Sequence, residues 1–253
     1  MIKTNLDWAS SGASEPGGVR VLNEDAFLDR PDVGLWVVAD GMGGHEAGDL
    51  ASALVVSTLS EVPLSVNLSD AMYETNAALR RVNTQLLATA RERQQSVIGS
   101  TVVILLARDN RFACIWAGDS RLYRLRQGVF EQVNHDHSEV QNLIDAGLLQ
   151  KTEAENHPSA NVITRAIGAI ENVELDVVQG TIYPGDRFLL CSDGLYRELA
   201  EGEISHSMQF DGQPNIIAAS LMDRALKRKA RDNVTVIAIN FSDGDKTIQL
   251  SRH

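Results

Sequence analysis

The chain has 253 residues, 43% of them hydrophobic and 23% charged, which is the composition of an ordinary globular protein. Its length allows one large domain or two small ones, with enough apolar residues to bury a sizeable core. The formal net charge of −11 argues against a nucleic-acid surface, which needs clustered Lys and Arg, and against attraction to an anionic membrane.

In the first part of the chain, short apolar runs predict strands, and helical periodicity then predicts two helices. The strands lie near residues 7–11, 26–28 and 35–39. The first helix begins near Ala47 and ends before Pro63. The second begins with Ser69 as its N-cap and extends to about Arg91.

From Gly99 onward the apolar period changes to that of strands. Successive apolar segments joined by short turns predict antiparallel pairing, and they lie at residues 101–107, 112–117, 121–126 and 129–133. A more polar insertion follows over residues 138–160. Its Ser138 and Gln141 have the spacing of a capping box and predict a short helix.

The last part of the chain adds strands, one helix and a final strand. The strands lie at residues 173–181 and 187–191, and the helix covers residues 214–229. Residues 234–241 are apolar on both faces, so this strand must lie between two layers. The order of elements predicts an α+β fold in which two antiparallel sheets pack face to face with helices outside.

No repeat or linker divides the chain. We therefore expect a single domain over residues 1–241 and a flexible tail over residues 242–253. The first ten residues lack the apolar centre of a signal peptide, and no apolar run approaches the length of a membrane span. We expect a cytoplasmic protein that does not insert into a membrane.

A glycine-rich turn after the strand at residues 35–39 is the first candidate site. Asp40 stands at the end of that strand, and the turn also holds His45. A simple turn is one interpretation. A dinucleotide-binding loop fails because Glu46 occupies its last glycine position, and a P-loop fails because Asp49 occupies the lysine position. A metal or phosphate site remains as a hypothesis.

Further aspartates repeat this arrangement at strand ends. The set consists of Asp40, Asp119, Asp193 and Asp232, with Glu24 and Asp25 beside a further strand. Taken singly, each aspartate is more often a turn former than a ligand. Together they predict that carboxylates from distant segments meet at one edge of a sheet sandwich. Oxygen ligands without Cys or paired His favour Mg²⁺ or Mn²⁺ over zinc, and two such ions can activate a bridging water.

Two cationic side chains complete the hypothesis. Arg20 can offer a planar fork to two phosphate oxygens, although alone it would be a solvated surface arginine. His45 can protonate a departing alkoxide because an imidazole titrates near neutral pH; a structural histidine is the alternative. The segment from His135 to His137 favours a structural loop.

Taken in order, these motifs resemble those of type 2C metal-dependent protein serine/threonine phosphatases of the compact bacterial kind. The resemblance extends from about residue 7 to residue 241. It rests on Arg20-x-x-Asn23-Glu24-Asp25, Ala39-Asp40-Gly41-Met42-Gly43-Gly44-His45, Gly99-Ser100-Thr101, Gly118-Asp119-Ser120-Arg121, Asp136-His137-Ser138, Thr164-Arg165-Ala166-Ile167-Gly168, Ser192-Asp193-Gly194-Leu195 and Asp232-Asn233-Val234-Thr235.

The resemblance implies a four-layer αββα sandwich with a centre of two Mn²⁺ or Mg²⁺ ions at one end. Asp40 would bridge both ions. The Gly41 carbonyl and Glu24 would serve one ion, and Asp193 and Asp232 the other.

The resemblance also implies roles around that centre. Asp25 would hold metal-bound water, and Asp119 would form a weaker third cation site with Asp193. Arg20 would bind the substrate phosphate, and His45 would act as general acid. A flap over about residues 138–165 would shape substrate choice.

The resulting hypothesis is an enzyme that hydrolyses phosphoserine and phosphothreonine monoesters by direct attack of a water or hydroxide bridging the two ions. Its partners would be phosphorylated proteins, including a cognate bacterial Ser/Thr kinase and its targets, and we expect a monomer. The alternatives are a catalytically silent module that binds phosphoproteins and a small-molecule phosphohydrolase. Tyr196-Arg197 and Lys229-Ala230-Arg231 depart from the common family pattern and bear on flanking specificity.

Overall fold

The computed structural model describes residues 6–43, 47–209 and 212–244, and its strands build two antiparallel sheets. The strands are β1 (Leu6–Glu15), β2 (Asp25–Arg30), β3 (Leu35–Gly43), β4 (Ile98–Ser100), β5 (Val102–Arg108), β6 (Arg111–Ala117), β7 (Arg121–Arg126), β8 (Val129–Gln132), β9 (Asp176–Thr181), β10 (Arg187–Cys191) and β11 (Val234–Asp243). The helices are α1 (Gly48–Ser60), α2 (Leu68–Glu92), α3 (Glu139–Asp145), α4 (Asp193–Tyr196), α5 (Glu201–Gln209) and α6 (Pro214–Lys227).

The two sheets form the middle layers of the molecule. One has the strand order β1-β11-β10-β7-β8, and the other has the order β2-β3-β5-β6-β9, with β4 paired to the end of β3. Apolar residues of α1 and α2 pack on the second sheet, and those of α4, α5 and α6 pack on the first. The αββα sandwich is therefore confirmed.

Strand β3 shows why this chain needs four layers. Leu35, Val37 and Ala39 belong to the core under α1 and α2. Trp36 and Val38 lie in the core between the two sheets. Successive side chains of a strand point to opposite faces, so a continuous apolar run requires an apolar layer on each side. Burying each such side chain stabilises the fold by about 1.5–3 kcal/mol.

Local predictions were wrong in two places. Asp40 does not end its strand, because residues 41–43 continue as β strand and pair with β4. The N-cap of α2 is Asn67 rather than Ser69, since the Asn67 side chain accepts hydrogen bonds from the Ser69 and Asp70 backbone N–H groups.

Other element bounds also differ from the predictions. The short helices α4 and α5 were not predicted, β9 begins at Asp176 rather than residue 173, and β11 continues to Asp243. Residues 245–253, most of the predicted tail, lie outside the described residues, so the single domain and the flexible tail stay predictions. Within the described ranges, no helix is both long enough and apolar enough to cross a membrane.

The predicted flap is an excursion between β8 and β9 that contains α3 and a 3-10 turn over Lys151–Asn156. Ser138 caps α3, as predicted, by accepting a hydrogen bond from the Gln141 backbone N–H at 3.3 Å. A bridge between Ser138 and Ile163 closes the base of the excursion. The flap therefore stands on a fixed base.

Candidate metal centre

The site begins with two aspartates on adjacent strands. Asp25 of β2 lies directly opposite Asp40 of β3 in the antiparallel register. The backbone of Asp40 is held by Thr101, whose N–H donates to the Asp40 carbonyl at 2.8 Å and whose Oγ1 accepts from the Asp40 N–H at 3.1 Å. Ser100 Oγ also donates to that carbonyl, at 3.0 Å. These bonds orient Asp40 even though its strand continues beyond it.

Asp25 connects the two sheets. Its Oδ2 accepts hydrogen bonds from Ser192 Oγ and Thr235 Oγ1, each at 2.7 Å. Its Oδ1 is buried and has no hydrogen-bond partner among the described residues. Burial raises the pKa of Asp25 to about 6, against the lowering effect of the Ser192 and Thr235 hydroxyls. One oxygen is therefore anchored while the other is left available.

Glu24 and Gly41 direct oxygens to the start of α1. A Cβ placed on Gly48 would collide with Glu24 Oε1 and would lie 2.9 Å from the Gly41 carbonyl oxygen. The position requires glycine because a side chain would displace both oxygens. Glu24 is also anchored through its backbone N–H, which donates to Asn233 Oδ1 at 2.8 Å. The Glu24 carboxylate oxygen and the Gly41 carbonyl oxygen therefore lie in one small region of the site.

Asp119 and Asp193 follow β6 and β10 and lie on the other side of the site. Each has a buried Oδ1 without a hydrogen-bond partner among the described residues. Burial raises the pKa of Asp193 to about 8, with a further rise from Asp119 and an opposing effect of Arg197. The pKa of Asp119 is raised by burial and then by Asp136, against the effects of Arg197 and Arg121.

Several of the predicted carboxylates interact electrostatically with Asp40. Although Asp40 keeps some solvent exposure, its pKa is raised well above the usual value, first by burial and then by other carboxylates. Those carboxylates, in order of effect, are Asp25, Asp193, Asp119 and Asp232. Like charges disfavour the ionised form only when they lie near one another. Carboxylates from five separate segments of the chain therefore lie close enough to interact electrostatically.

Two arginines neutralise part of this charge. Arg20 Nη2 lies 2.9 Å from Asp232 Oδ2, with 48% and 37% of the two side chains exposed. Arg197 Nη2 lies 3.0 Å from Asp193 Oδ2 and 3.5 Å from Asp119 Oδ2. The predicted phosphate-binding Arg20 is thus at the site, paired with a predicted ligand.

A cavity of about 470 Å³ opens beside these groups. Arg20, Asp119 and Asp232 line its inner side, and Ala160 and Asn161 of the flap line its outer side. Asp119 and Asp232 therefore lie where a substrate in the cavity can reach them, and the flap borders the approach.

The donor set fits a hard divalent cation. As arranged here, no three His, Cys, Asp or Glu side chains among the described residues form a group that could hold a metal ion. The structure nevertheless leaves buried carboxylate oxygens on Asp25, Asp119 and Asp193 without partners, and their pKa values are raised. A cation would supply the missing partner for each oxygen, and oxygen ligands suit Mg²⁺ or Mn²⁺.

Sequence reasoning missed the residues that hold the site together. Asn233 donates to the carbonyls of Pro16 and Leu22 at 3.1 and 2.9 Å and accepts from Glu24, which fixes the loop that carries Arg20. Thr235 lies in the same Asp232-Asn233-Val234-Thr235 motif. A polar residue on an otherwise buried strand was the available indication, because such a group needs a specific partner.

The histidine pair at 135 and 137 does not form a site. His135 Nε2 lies 2.7 Å from Asp145 Oδ2, whereas His137 stacks on Trp116 with ring centroids 5.8 Å apart. His137 Nδ1 accepts the Gly118 N–H at 3.2 Å, next to Asp119. The two rings have different partners, which agrees with a structural loop. His45 lies outside the described residues.

Comparison with known sequences gives consistent matches. A family model described as protein phosphatase 2C matches residues 19–229. The serine/threonine protein phosphatase PstP of Mycobacterium tuberculosis is 34% identical over 248 residues, which cover 97% of this chain and 47% of that protein. The chain thus spans about half the length of this relative.

Comparison with solved structures agrees. PppA of Pseudomonas aeruginosa is 44% identical, with a TM-score of 0.87 over 94% of this chain and 100% of that one. The catalytic domain of PstP in complex with two manganese ions is 32% identical, with a TM-score of 0.85 over 94% of this chain and 100% of that one.

Proposed function

Because the chain belongs to the protein phosphatase 2C family, we propose that it hydrolyses phosphoserine and phosphothreonine monoesters of proteins with two Mn²⁺ or Mg²⁺ ions. One observation carries the proposal: carboxylates from distant segments of the chain interact electrostatically beside a cavity, and three of them keep a buried oxygen without a hydrogen-bond partner among the described residues. A fold alone would not require this arrangement, which costs stability unless cations neutralise it.

The proposed ligands divide between the two sides of the site. Asp40, Glu24, the Gly41 carbonyl, Asp193 and Asp232 would hold the two cations, with Glu24 and Gly41 on one side and Asp193 and Asp232 on the other. When bound, the cations would lower the pKa of a water molecule and neutralise phosphate charge.

Residues of the chain position the reactants. Arg20 orients the phosphate, and its half-exposed guanidinium at the cavity supports this role. Asp25 orients the attacking water through Oδ1, because Ser192 and Thr235 already hold Oδ2. His45 remains the proposed general acid for the leaving alkoxide.

The two cysteines argue against a phosphocysteine intermediate. The chain has two, Cys114 and Cys191, and both are fully buried in the sheets. Burial raises the pKa of each thiol, so neither is a thiolate available to form a phosphoenzyme. Hydrolysis is therefore proposed to proceed without a phosphocysteine intermediate.

We extend the proposal to the partners of the chain. Its substrates are phosphorylated proteins, including a cognate bacterial Ser/Thr kinase and its targets, and it acts as a cytoplasmic monomer. The similar structure of PppA is described as that of a key regulatory component of type VI secretion. This supports a signalling role rather than general phosphate scavenging.

The experiment is Mn²⁺-dependent phosphate release from a phosphothreonine peptide. Asp193→Ala and Asp232→Ala should abolish turnover while circular dichroism shows an intact fold. Asp223→Ala is the matched control, because Asp223 lies on α6 in an exposed ion pair with Lys227. Full turnover by either site variant would contradict the proposal.

The same assay separates the alternatives. Peptide binding without turnover at saturating Mn²⁺ would indicate a silent binding module. Faster turnover of metabolite phosphates than of phosphopeptides would indicate a small-molecule phosphohydrolase.

A further inference from the structure

Arg197 connects the carboxylates of the centre to the flap. It follows α4 as its C-cap residue, one turn beyond Asp193. Its Nη2 lies 3.0 Å from Asp193 Oδ2 and 3.5 Å from Asp119 Oδ2. The same nitrogen donates to the Ala160 carbonyl at 3.2 Å, and Nη1 donates to Asn161 Oδ1. One guanidinium thus contacts two candidate cation ligands and two residues of the flap.

The region between Asp119 and Asp193 is largely shielded from solvent. Their side chains are 3% and 12% exposed, and that of Arg197 is 25% exposed. Two carboxylates this buried repel each other unless a cation stands between them. Among the described residues, Arg197 is the one that forms ion pairs with both carboxylates. The chain therefore supplies a positive charge of its own at this point.

Tyr196 fixes the same pocket from the other side. Its hydroxyl lies 3.0 Å from the Asp119 carbonyl and 3.2 Å from Asp119 Oδ2. Its ring packs under the Arg121 guanidinium, whose Cζ is 3.6 Å from the ring centroid. Arg121 is itself held by a bidentate pair with Asp136, with contacts of 2.6 to 3.1 Å. Tyr196 and Arg197, two of the residues that depart from the common family pattern, thus contact Asp119.

Other contacts of the flap are weaker or lie at its base. Lys151 Nζ lies 2.7 Å from Glu201 Oε1, but the two side chains are 68% and 42% exposed. Exposed pairs of this kind contribute roughly 0–1 kcal/mol. The Ser138–Ile163 bridge closes the base and does not reach the carboxylates. Among the described residues, Arg197 therefore makes the contact that joins the flap to the carboxylates of the centre.

We propose that Arg197 is the resident cation between Asp119 and Asp193, where it takes the place of a third divalent ion and ties the flap to the centre. The inference rests on the proposed function, since it concerns the cations of that centre. A third ion could bind only by displacing the guanidinium, which would release Ala160 and Asn161. Arg197 is a positioning residue, and occupancy of this pocket determines whether the flap is held.

The test counts bound ions in the full chain. Mn²⁺ is titrated by isothermal calorimetry, and bound metal is measured after dialysis, for the wild type, Arg197→Met and Arg231→Met. Arg231 is the matched control because it lines the same cavity but contacts Glu198 rather than Asp119 or Asp193. We expect two bound Mn²⁺ ions in the wild type and in Arg231→Met. Arg197→Met should bind a third Mn²⁺ ion, with an affinity for that ion at least tenfold higher than that of the wild type.

Two further variants keep the test decisive. Arg197→Gln replaces the charged side chain with a neutral polar one and serves if Arg197→Met does not fold. This variant should also take up a third ion. Arg197→Lys retains the charge and should keep two ions. A third ion bound equally well by the wild type and the neutral variants would overturn the inference. A wild type that binds no Mn²⁺ would instead refute the proposed function.

Hydrogen exchange tests the link to the flap. Amides of residues 150–165 should exchange faster in Arg197→Met than in the wild type or Arg231→Met, all without metal. Equal exchange in the three proteins would show that Arg197 does not hold the flap.

Discussion

Replacing Asp193 by Asn should stabilise the cation-free protein. The pKa of Asp193 is raised from 3.8 to about 8, first by burial and then by Asp119, whereas Arg197 opposes the rise. The folded protein therefore binds this proton more tightly than the unfolded chain does. The contribution of Asp193 to the free energy of unfolding therefore falls as the pH rises from about 4 to about 8. Asn keeps the shape of the side chain but cannot ionise.

The size of the effect follows from the two pKa values. At about 1.36 kcal/mol per pH unit, the difference between 3.8 and about 8 corresponds to roughly 5–6 kcal/mol once the group is ionised. Arg197 loses one anionic partner in the variant, and neighbouring carboxylates share the titration, so we expect a net gain of about 1–3 kcal/mol at pH 8. The gain should be smaller at pH 6, where Asp193 in the folded protein is protonated.

Urea unfolding of EDTA-treated protein at pH 6 and pH 8 measures this difference. Asp223→Asn is the control, because an exposed residue of this kind should change stability by less than about 0.5 kcal/mol. Saturating Mn²⁺ should stabilise the wild type, by about 2.7 kcal/mol at one hundred times Kd, and should stabilise Asp193→Asn much less. A variant less stable than the wild type at pH 8 without cations would refute the reasoning.

Four other substitutions test three separate parts of the account. Asn67→Ala should lower the free energy of unfolding by about 1 kcal/mol, because it removes the cap of α2, whereas Ser69→Ala should have little effect; urea unfolding decides between them. Arg20→Ala should raise KM for a phosphopeptide about tenfold or more in steady-state kinetics, because a charged hydrogen-bond donor to phosphate is lost. His45→Ala should slow hydrolysis of an aliphatic phosphoester far more than that of an aryl phosphate, whose leaving group needs no proton.

Each of these expectations has an opposite outcome. A larger loss in Ser69→Ala than in Asn67→Ala would return the cap to Ser69. An unchanged KM in Arg20→Ala would show that the Arg20 guanidinium pairs with Asp232 but does not bind the substrate phosphate. Equal losses on both phosphoesters would remove His45 from the role of general acid.

Sequence patterns predicted the architecture because its causes are local and repeated. Strand β3 is apolar at every position from Leu35 to Ala39, and a strand buried on both faces can only lie between layers. The same logic predicted that Asp193 and Asp232 lie near one another, because residues that follow or precede core strands collect at the ends of a sheet, whereas Asp40 lies within β3. The order of the motifs then supported the αββα arrangement.

The remaining features depend on contacts that no local pattern reveals. Arg20 and Asp232 form their pair across 212 positions of sequence. Ser192 and Thr235 became supports of Asp25 only once two sheets had packed together. Ser69 and Asn67 are both good capping residues, so the choice between them depended on where the preceding chain turned. The short helix α4 has too few residues for its period to be recognised.

The most direct test of the central claim is an anomalous diffraction map from crystals grown with Mn²⁺. The account predicts two strong peaks at the cavity, in contact with carboxylate oxygens of Asp40, Asp193 and Asp232 at about 2.0–2.3 Å. The absence of peaks at these carboxylates, or manganese bound only at surface residues elsewhere, would contradict it.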